Sequence, residues 1–253
     1  MKVIKFGGTS IGTAERFSNV ARIISSKFEE EFSIVVLSAI GGVTDKLLEA
    51  ILLASQGNSG YQKIFELIKS EHLIFLPSVV GREHQEEVRI QIQKLLNQLE
   101  DKLRGIYLLK ECSDRISDSI VTYGEYLSNF LLVGSLKSMG KEAGFHDARN
   151  LIKTNSNFGD AEVNFSETNQ LLQSWYDSLE KNHIPVFNGF IGSDQNGHIT
   201  TLGRSGSDFT ATIIGGALKA SVVEIWTDVN GVLSADPKIV PSAATLDALS
   251  YEE

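Results

Sequence analysis

Residues 33–44, SIVVLSAIGGVT, carry the reading on which the fold rests. Ile34-Val35-Val36-Leu37 is a continuous apolar run, not an alternating one, as in a strand buried on both faces. It breaks at Gly41-Gly42, and a helical pattern follows from about Asp45 to Ala54. The same unit stands at the N-terminus. Residues 2–6, KVIKF, read as a short β-branched strand, Gly7-Gly8-Thr9-Ser10 as a turn, and a helix begins near Ala14 with Phe17, Val20, Ile23 and Ile24 along its apolar face. A strand, a glycine loop and a helix met twice in succession argue for a parallel sheet covered by helices.

Further strands are predicted at 143–148, 184–190 and 221–227, the last as another buried strand. Asp194-Gln195-Asn196-Gly197 marks a hairpin turn. Residues 58–110 are poor in glycine and read as two or three helices. One helix is predicted from about Asp114 to Met139, with Ile116, Ile120, Leu127 and Leu131 along one side and Gly124 on the same face. Another starts near Ser207.

The 253 residues allow one large domain or two small ones. A net charge of −9, from 23 basic and 32 acidic side chains, argues against nucleic-acid binding as the main role. The single cysteine, Cys112, cannot form an internal disulfide, which fits a reducing compartment. No apolar run reaches the roughly 20 residues that span a bilayer, so no membrane partner is expected. The N-terminus does not resemble a signal peptide. The chain reads as a cytoplasmic protein. Ser250-Tyr251-Glu252-Glu253 matches a capping box, with Leu249 placed as a staple residue. A helix announced where the sequence stops makes a longer parent protein the expectation.

Four constellations suit chemistry. In Lys5-Phe6-Gly7-Gly8-Thr9-Ser10 a lysine ends a strand, two glycines allow a ligand close to the backbone, and a helix follows; these parts suit phosphate binding or simply a tight βα turn. Thr201-Leu202-Gly203-Arg204-Ser205-Gly206-Ser207-Asp208 precedes a helix that Ser207 would cap, with Asp208 in its first turn. Arg204 is unfavourable at a helix N-terminus unless an anion lies nearby. Trp226-Thr227-Asp228-Val229-Asn230-Gly231 and Ala235-Asp236-Pro237-Lys238 follow a strand, and ligands in open α/β sheets bind beyond strand C-termini; both stretches could equally be plain turns. Gly124-Glu125 lies in mid-helix, where Glu125 alone reads as a solvated residue. No Walker A loop is present, no metal site is expected, and His72 and His84 read as surface residues.

KFGGTS, VVLSA followed by Gly-Val-Thr, Gly-Glu in mid-chain, NGFIG, TLGRSGSD and IWTDVNGV…ADP, taken in this order, resemble the aspartokinase family across essentially the whole chain. The resemblance implies the amino-acid kinase fold, a three-layer α/β/α sandwich around a mostly parallel sheet. It implies an aspartate-binding part over about residues 1–190 and a nucleotide-binding part over about 191–253, using ATP and Mg2+. It places Lys5, Gly7, Gly8 and Thr9 at the phosphates, and Thr227, Asp228, Leu233 and Lys238 at the nucleotide. Ser38 and Thr44 fall near the amino acid, Glu125 on its ammonium, and Arg204 on its α-carboxylate with Ser207 beside it. Asp208 organises the catalytic Lys5. Leu233 stands where the family often has tyrosine, and Lys238 where it often has arginine, which puts contacts at those two positions in question. The family continues into ACT regulatory domains, sometimes a homoserine dehydrogenase, and forms homo-oligomers. The implied reaction is ATP-dependent phosphorylation of the L-aspartate β-carboxylate. Acetylglutamate, glutamate or uridylate kinase, or a non-catalytic sensor, are the competing expectations.

Overall fold

The two strand–glycine loop–helix units lie side by side in the computed structural model, which describes residues 1–227, 231–236 and 239–250. Strand β1 (Lys2–Phe6) pairs in parallel with β2 (Ser33–Leu37), and the connection between them is α1 (Ala14–Glu30). The sheet is completed by β3 (Ala143–His146), β4 (Ile184–Asn188) and β7 (Val222–Trp226), in the order β3-β4-β2-β1-β7, with every pairing parallel. A separate hairpin, β5 (Ile191–Ser193) and β6 (Ile199–Thr201), turns through Gly197 at φ 78°.

Strand side chains alternate between faces, and that alternation sorts the core into two layers. Ile4, Phe6, Val35 and Leu37 join one cluster with α1, α2 (Val43–Ser55), α3 (Tyr61–Val79), α4 (Arg82–Leu109) and α6 (Tyr123–Ser138). Val3, Ile34 and Val36 join the other, with α7 (Phe165–Ser178) and α8 (Gly206–Ala217). Large side chains such as Phe6, Phe17, Phe187 and Leu37 are fully buried, and each stabilises by roughly 1.5–3 kcal/mol. The α/β/α sandwich read from the sequence is the fold observed. Lys5 shares the parity of Val3, so it belongs to the α8 side of the sheet.

Four expectations are corrected. The predicted helix 114–139 is two helices, α5 (Asp114–Val121) and α6, broken at Thr122. The Thr122 hydroxyl bonds back to Ser119 O at 3.4 Å, a local bond that competes with the helix ladder. Strand β7 is not buried: Val222 is 46% and Ile225 41% exposed, because among the described residues the strand is an edge that pairs with β1 alone. His72 is not on the surface. It sits one turn from Ile68 and Leu76 on the buried stripe of α3, is fully buried, and bonds through Nδ1 to Ile68 O at 2.7 Å. Burial pushes its pKa down, which keeps the ring neutral. Helix α8 begins at Gly206, with Ser205 at the N-cap position at φ 59°, so Ser207 is not the cap. Tyr251–Glu253 of the capping box lie outside the described residues. Among the described residues no helix is long and apolar enough to cross a membrane.

Candidate active site

The cleft forms where the sheet's C-terminal edge meets three loops. At the end of β1 the Lys5 side chain crosses to the first turn of α8, and Nζ lies 2.6 Å from Asp208 Oδ1. Lys5 is 9% exposed, while the Asp208 side chain keeps 41% of its surface open. Gly7 follows directly; a Cβ there would lie 3.4 Å from Lys5 Nζ. Gly8 packs against the second glycine loop, and a Cβ on it would stand 2.7 Å from Ala39 O. Gly41 N–H donates to Gly8 O at 3.1 Å, which locks the two loops together. Thr9 lies in a short 3-10 turn, Gly8–Ile11, ahead of α1, and Thr13 caps that helix by accepting from Arg16 N–H at 3.2 Å.

Glu125 corrects the reading of a solvated helix residue. Helix α6 is buried almost all round, and Glu125 is 3% exposed. Its Oε1 accepts from Ala39 N–H at 3.3 Å, while Oε2 is buried with no partner. Desolvation pushes its pKa up to about 8, partly opposed by backbone hydrogen bonds including that of Ala39. Gly124 lets α6 come this close: a Cβ there would lie 2.8 Å from Ala39 Cβ and 3.2 Å from Val43 Cγ1. Ala is intrinsically the better helix residue, but overpacking costs about 1–3 kcal/mol. We expect Gly124→Ala to be destabilised by about 1 kcal/mol or more in urea denaturation; a stabilised variant would show that the contact yields freely.

From the third side comes the Arg204 loop. Gly203 takes φ 70°, Ser205 φ 59°, and Gly189 leaves room for Ser207, whose Oγ would be 2.5 Å from an added Cβ. Arg204 is exposed and forms no ion pair among the described residues. A cavity of about 770 Å³ is lined by Lys5, Gly8, Thr9, Ser38, Thr44, Glu125, Arg204, Ser207 and Asp208 together. Nine residues singled out from the sequence therefore share one cleft. Thr227 does not line it; it lies at a second cavity of about 350 Å³ beside Thr9, Arg16 and Trp226. Leu233 is also absent from the main cleft and bridges to Thr245. Asp228 and Lys238 lie outside the described residues. Sequence reasoning missed Asp45, Asp118, Gly159 and Phe190 as parts of the wall, which they also line. Of these only Phe190 carried a signal, inside the NGFIG stretch. Among the described residues no three His, Cys, Asp or Glu side chains converge on a metal position.

A buried carboxylate with one unpartnered oxygen, a guanidinium without an ion pair among the described residues and a lysine at the floor of one cleft suit a zwitterionic ligand and an anionic co-ligand. A sequence model of the amino acid kinase family matches residues 1–253. The bifunctional aspartokinase/homoserine dehydrogenase of Buchnera aphidicola subsp. Acyrthosiphon pisum is 33% identical over 260 residues, covering 100% of this chain and 31% of that protein. Aspartokinase 2 of Arabidopsis thaliana, a chloroplastic protein, is 37% identical, covering 99% of this chain and 46% of that one. The crystal structure of E. coli aspartokinase III with aspartate and ADP superposes at a TM-score of 0.87 with 31% identity, covering 98% of this chain and 53% of that chain. The chain thus spans about a third to a half of the length of these relatives. A family match over the whole of this chain and a backbone that superposes on a solved relative converge on one statement: the chain belongs to the amino acid kinase family.

Proposed function

We infer that the protein transfers the γ-phosphoryl group of ATP to the β-carboxylate of L-aspartate, giving 4-phospho-L-aspartate and ADP. The observation that carries this reading is the single cleft in which Lys5 and Asp208 stand with Glu125 and Arg204. The solved relative whose described ligands are aspartate and ADP supports the same assignment.

The nucleophile is a carboxylate with an ordinary pKa of about 3.9, already ionised at neutral pH, so no general base is needed. One carboxylate oxygen bonds to the γ-phosphorus as the bond to the ADP oxygen breaks. The obstacle is repulsion between two anions, and phosphoryl transfer is accelerated mainly by positioning and charge stabilisation. Lys5 supplies a cation where that charge develops, held in place by Asp208, and the Gly8 amide with Thr9 adds donors, whereas the Gly7 amide is spent on Trp226 O at 3.4 Å. Glu125 receives the substrate ammonium on its free oxygen. Arg204 pairs with the α-carboxylate in a fork that lysine cannot match, and Ser38, Thr44 and Ser207 flank the amino acid. Magnesium fits this donor set as an ion carried on the nucleotide phosphates near Asp208, the cleft carboxylate that meets Lys5; it would neutralise phosphate charge. Residues 1–190 would form most of the aspartate site, and 191–253, with Thr227, Asp228, Leu233 and Lys238, the nucleotide side.

Supplied with ATP and a panel of aspartate, glutamate, N-acetylglutamate and uridylate, the intact protein should phosphorylate aspartate selectively. Faster turnover of another acceptor, or ATP binding without any transfer, would overturn the reading. Arg204→Lys should raise the aspartate KM about three- to tenfold, from the loss of one charge-assisted bond; unaltered aspartate kinetics would remove the clamp.

A further inference from the structure

Asp118 has no assigned role in the cleft, yet it is 4% exposed in the cleft wall. Its carboxylate is already occupied. Oδ2 accepts from Gly159 N–H and from Thr201 N–H, each at 2.9 Å, and Oδ1 accepts from the Thr201 hydroxyl at 3.0 Å. Burial raises its pKa, and the bonds from Gly159 and Thr201 oppose that rise. Glu125, on the adjoining helix, is the reverse case, with one oxygen wholly unused. The cleft therefore holds two buried carboxylates, one open to a ligand and one spent on the protein.

What Asp118 grips is the base of the Arg204 loop. Thr201 is held at its N–H and hydroxyl by Asp118, while its carbonyl accepts from Ala161 N–H at 2.9 Å. The next residue, Leu202, donates to Phe190 O at 2.9 Å. Gly203 then packs against the turn containing Gly159, and a Cβ on Gly203 would lie 2.3 Å from Asp160 Oδ1. The two segments tied by Asp118 thus abut at the residue before Arg204. Arg204 has no ion pair of its own among the described residues, so its placement is inherited from this backbone.

We propose that Asp118 is a positioning residue: it binds the Gly159 turn and the Thr201 end of β6 to α5, fixes the Arg204 loop, and so sets the preference for an acceptor bearing an α-carboxylate. The proposal rests on the reading of Arg204 as the carboxylate clamp.

The test is Asp118→Asn in the intact protein. It keeps the shape but turns an NH2 group toward backbone donors. β-Alanine is the diagnostic ligand, because it keeps the ammonium and the reacting carboxylate and lacks the α-carboxylate. By calorimetry, aspartate affinity should fall about tenfold and β-alanine affinity by less than about twofold, so their ratio falls about five- to tenfold. Hydrogen exchange at the Thr201 and Gly159 amides should accelerate. Thr201→Ser, which keeps the hydroxyl, should stay within about twofold of wild type for both ligands, and Thr201→Val, which removes one donor, should lower the ratio about threefold if Asp118→Asn fails to fold. Equal loss for both ligands, an unchanged ratio, or unchanged amide exchange would each overturn the strut. Wild-type protein that bound no aspartate would instead overturn the proposed function, and the exchange measurement would still decide the strut.

Discussion

Replacing Lys5 by alanine should lower kcat for aspartyl phosphate formation by about 10²–10³-fold, the cost of removing one preorganised group that meets transition-state charge. The aspartate KM should move by no more than about threefold, because an interaction made chiefly in the transition state appears in kcat. The structure gives the reason for the split. Alternation along β1 sends Lys5 to the α8 side, where its ammonium meets Asp208 at 2.6 Å, whereas Glu125 reaches the cleft from α6 in the opposite layer. On the proposed reading Lys5 therefore meets the phosphoryl group, while the ammonium of the amino acid is held by Glu125 from the opposite layer. Asp208→Asn should shift kcat in the same direction by less, since the cation remains but loses its anchor. The Asp208 side chain is 41% exposed, so solvent screens the pair and little stability should be lost. Turnover measured at saturating ATP, with melting curves to confirm folding, decides this; a Lys5→Ala enzyme of undiminished kcat would take Lys5 out of the chemistry.

The sequence made the sheet and half of the cleft legible for one physical reason. Where a strand passes through a glycine turn into a helix, backbone position follows from local pattern, so Lys5, Gly8, Ser38 and Thr44 fall at the same sheet edge without any long-range information. Glu125 was visible only through family resemblance. Its burial was not legible, because a stripe of Ile116, Ile120 and Leu127 predicts a solvated opposite face, whereas α6 is packed on nearly every side. Ser207 has the chemistry of an N-cap and lost that place to Ser205, which the loop drives into a left-handed conformation. His72 lay in a charge-rich stretch, yet its spacing from Ile68 and Leu76 was the better guide. Asp118 could not be found at all. Its partners lie 41 and 83 residues away in the chain, and no local pattern encodes contacts of that range.

The affinity for aspartate should rise about ninefold from pH 6 to pH 7, about fivefold more from pH 7 to pH 8, and then level, because binding and deprotonation of Glu125 are linked. In the ligand-free protein burial holds the Glu125 carboxyl near 8, so it is mostly protonated at neutral pH. An incoming ammonium pairs with the carboxylate form, and the proton must leave; at pH 7 about 0.9 proton should be released per aspartate bound. The other ionisable groups of the cleft, Lys5, Asp45, Asp118, Arg204 and Asp208, share its wall but leave Oε2 without a partner. Stability follows the opposite sign. Between the ordinary value of 4.5 and about 8 the folded protein holds a proton that the unfolded chain has given up, so this group's contribution is full below that window and declines as pH rises through it. Aspartate reverses the penalty by supplying a counter-charge, so its stabilising effect on the melting temperature should grow from pH 6 to pH 8. Glu125→Gln keeps the shape and removes the titration. Its deficit in affinity should be about 10²–10³-fold at pH 8, where the wild type gains a buried ion pair, and should narrow toward pH 6, where the wild-type side chain is itself neutral. Calorimetry in two buffers of different ionisation enthalpy reads the proton directly. A wild-type affinity that stayed flat across this range would mean that Glu125 is already ionised in the empty cleft and that some other group meets the ammonium.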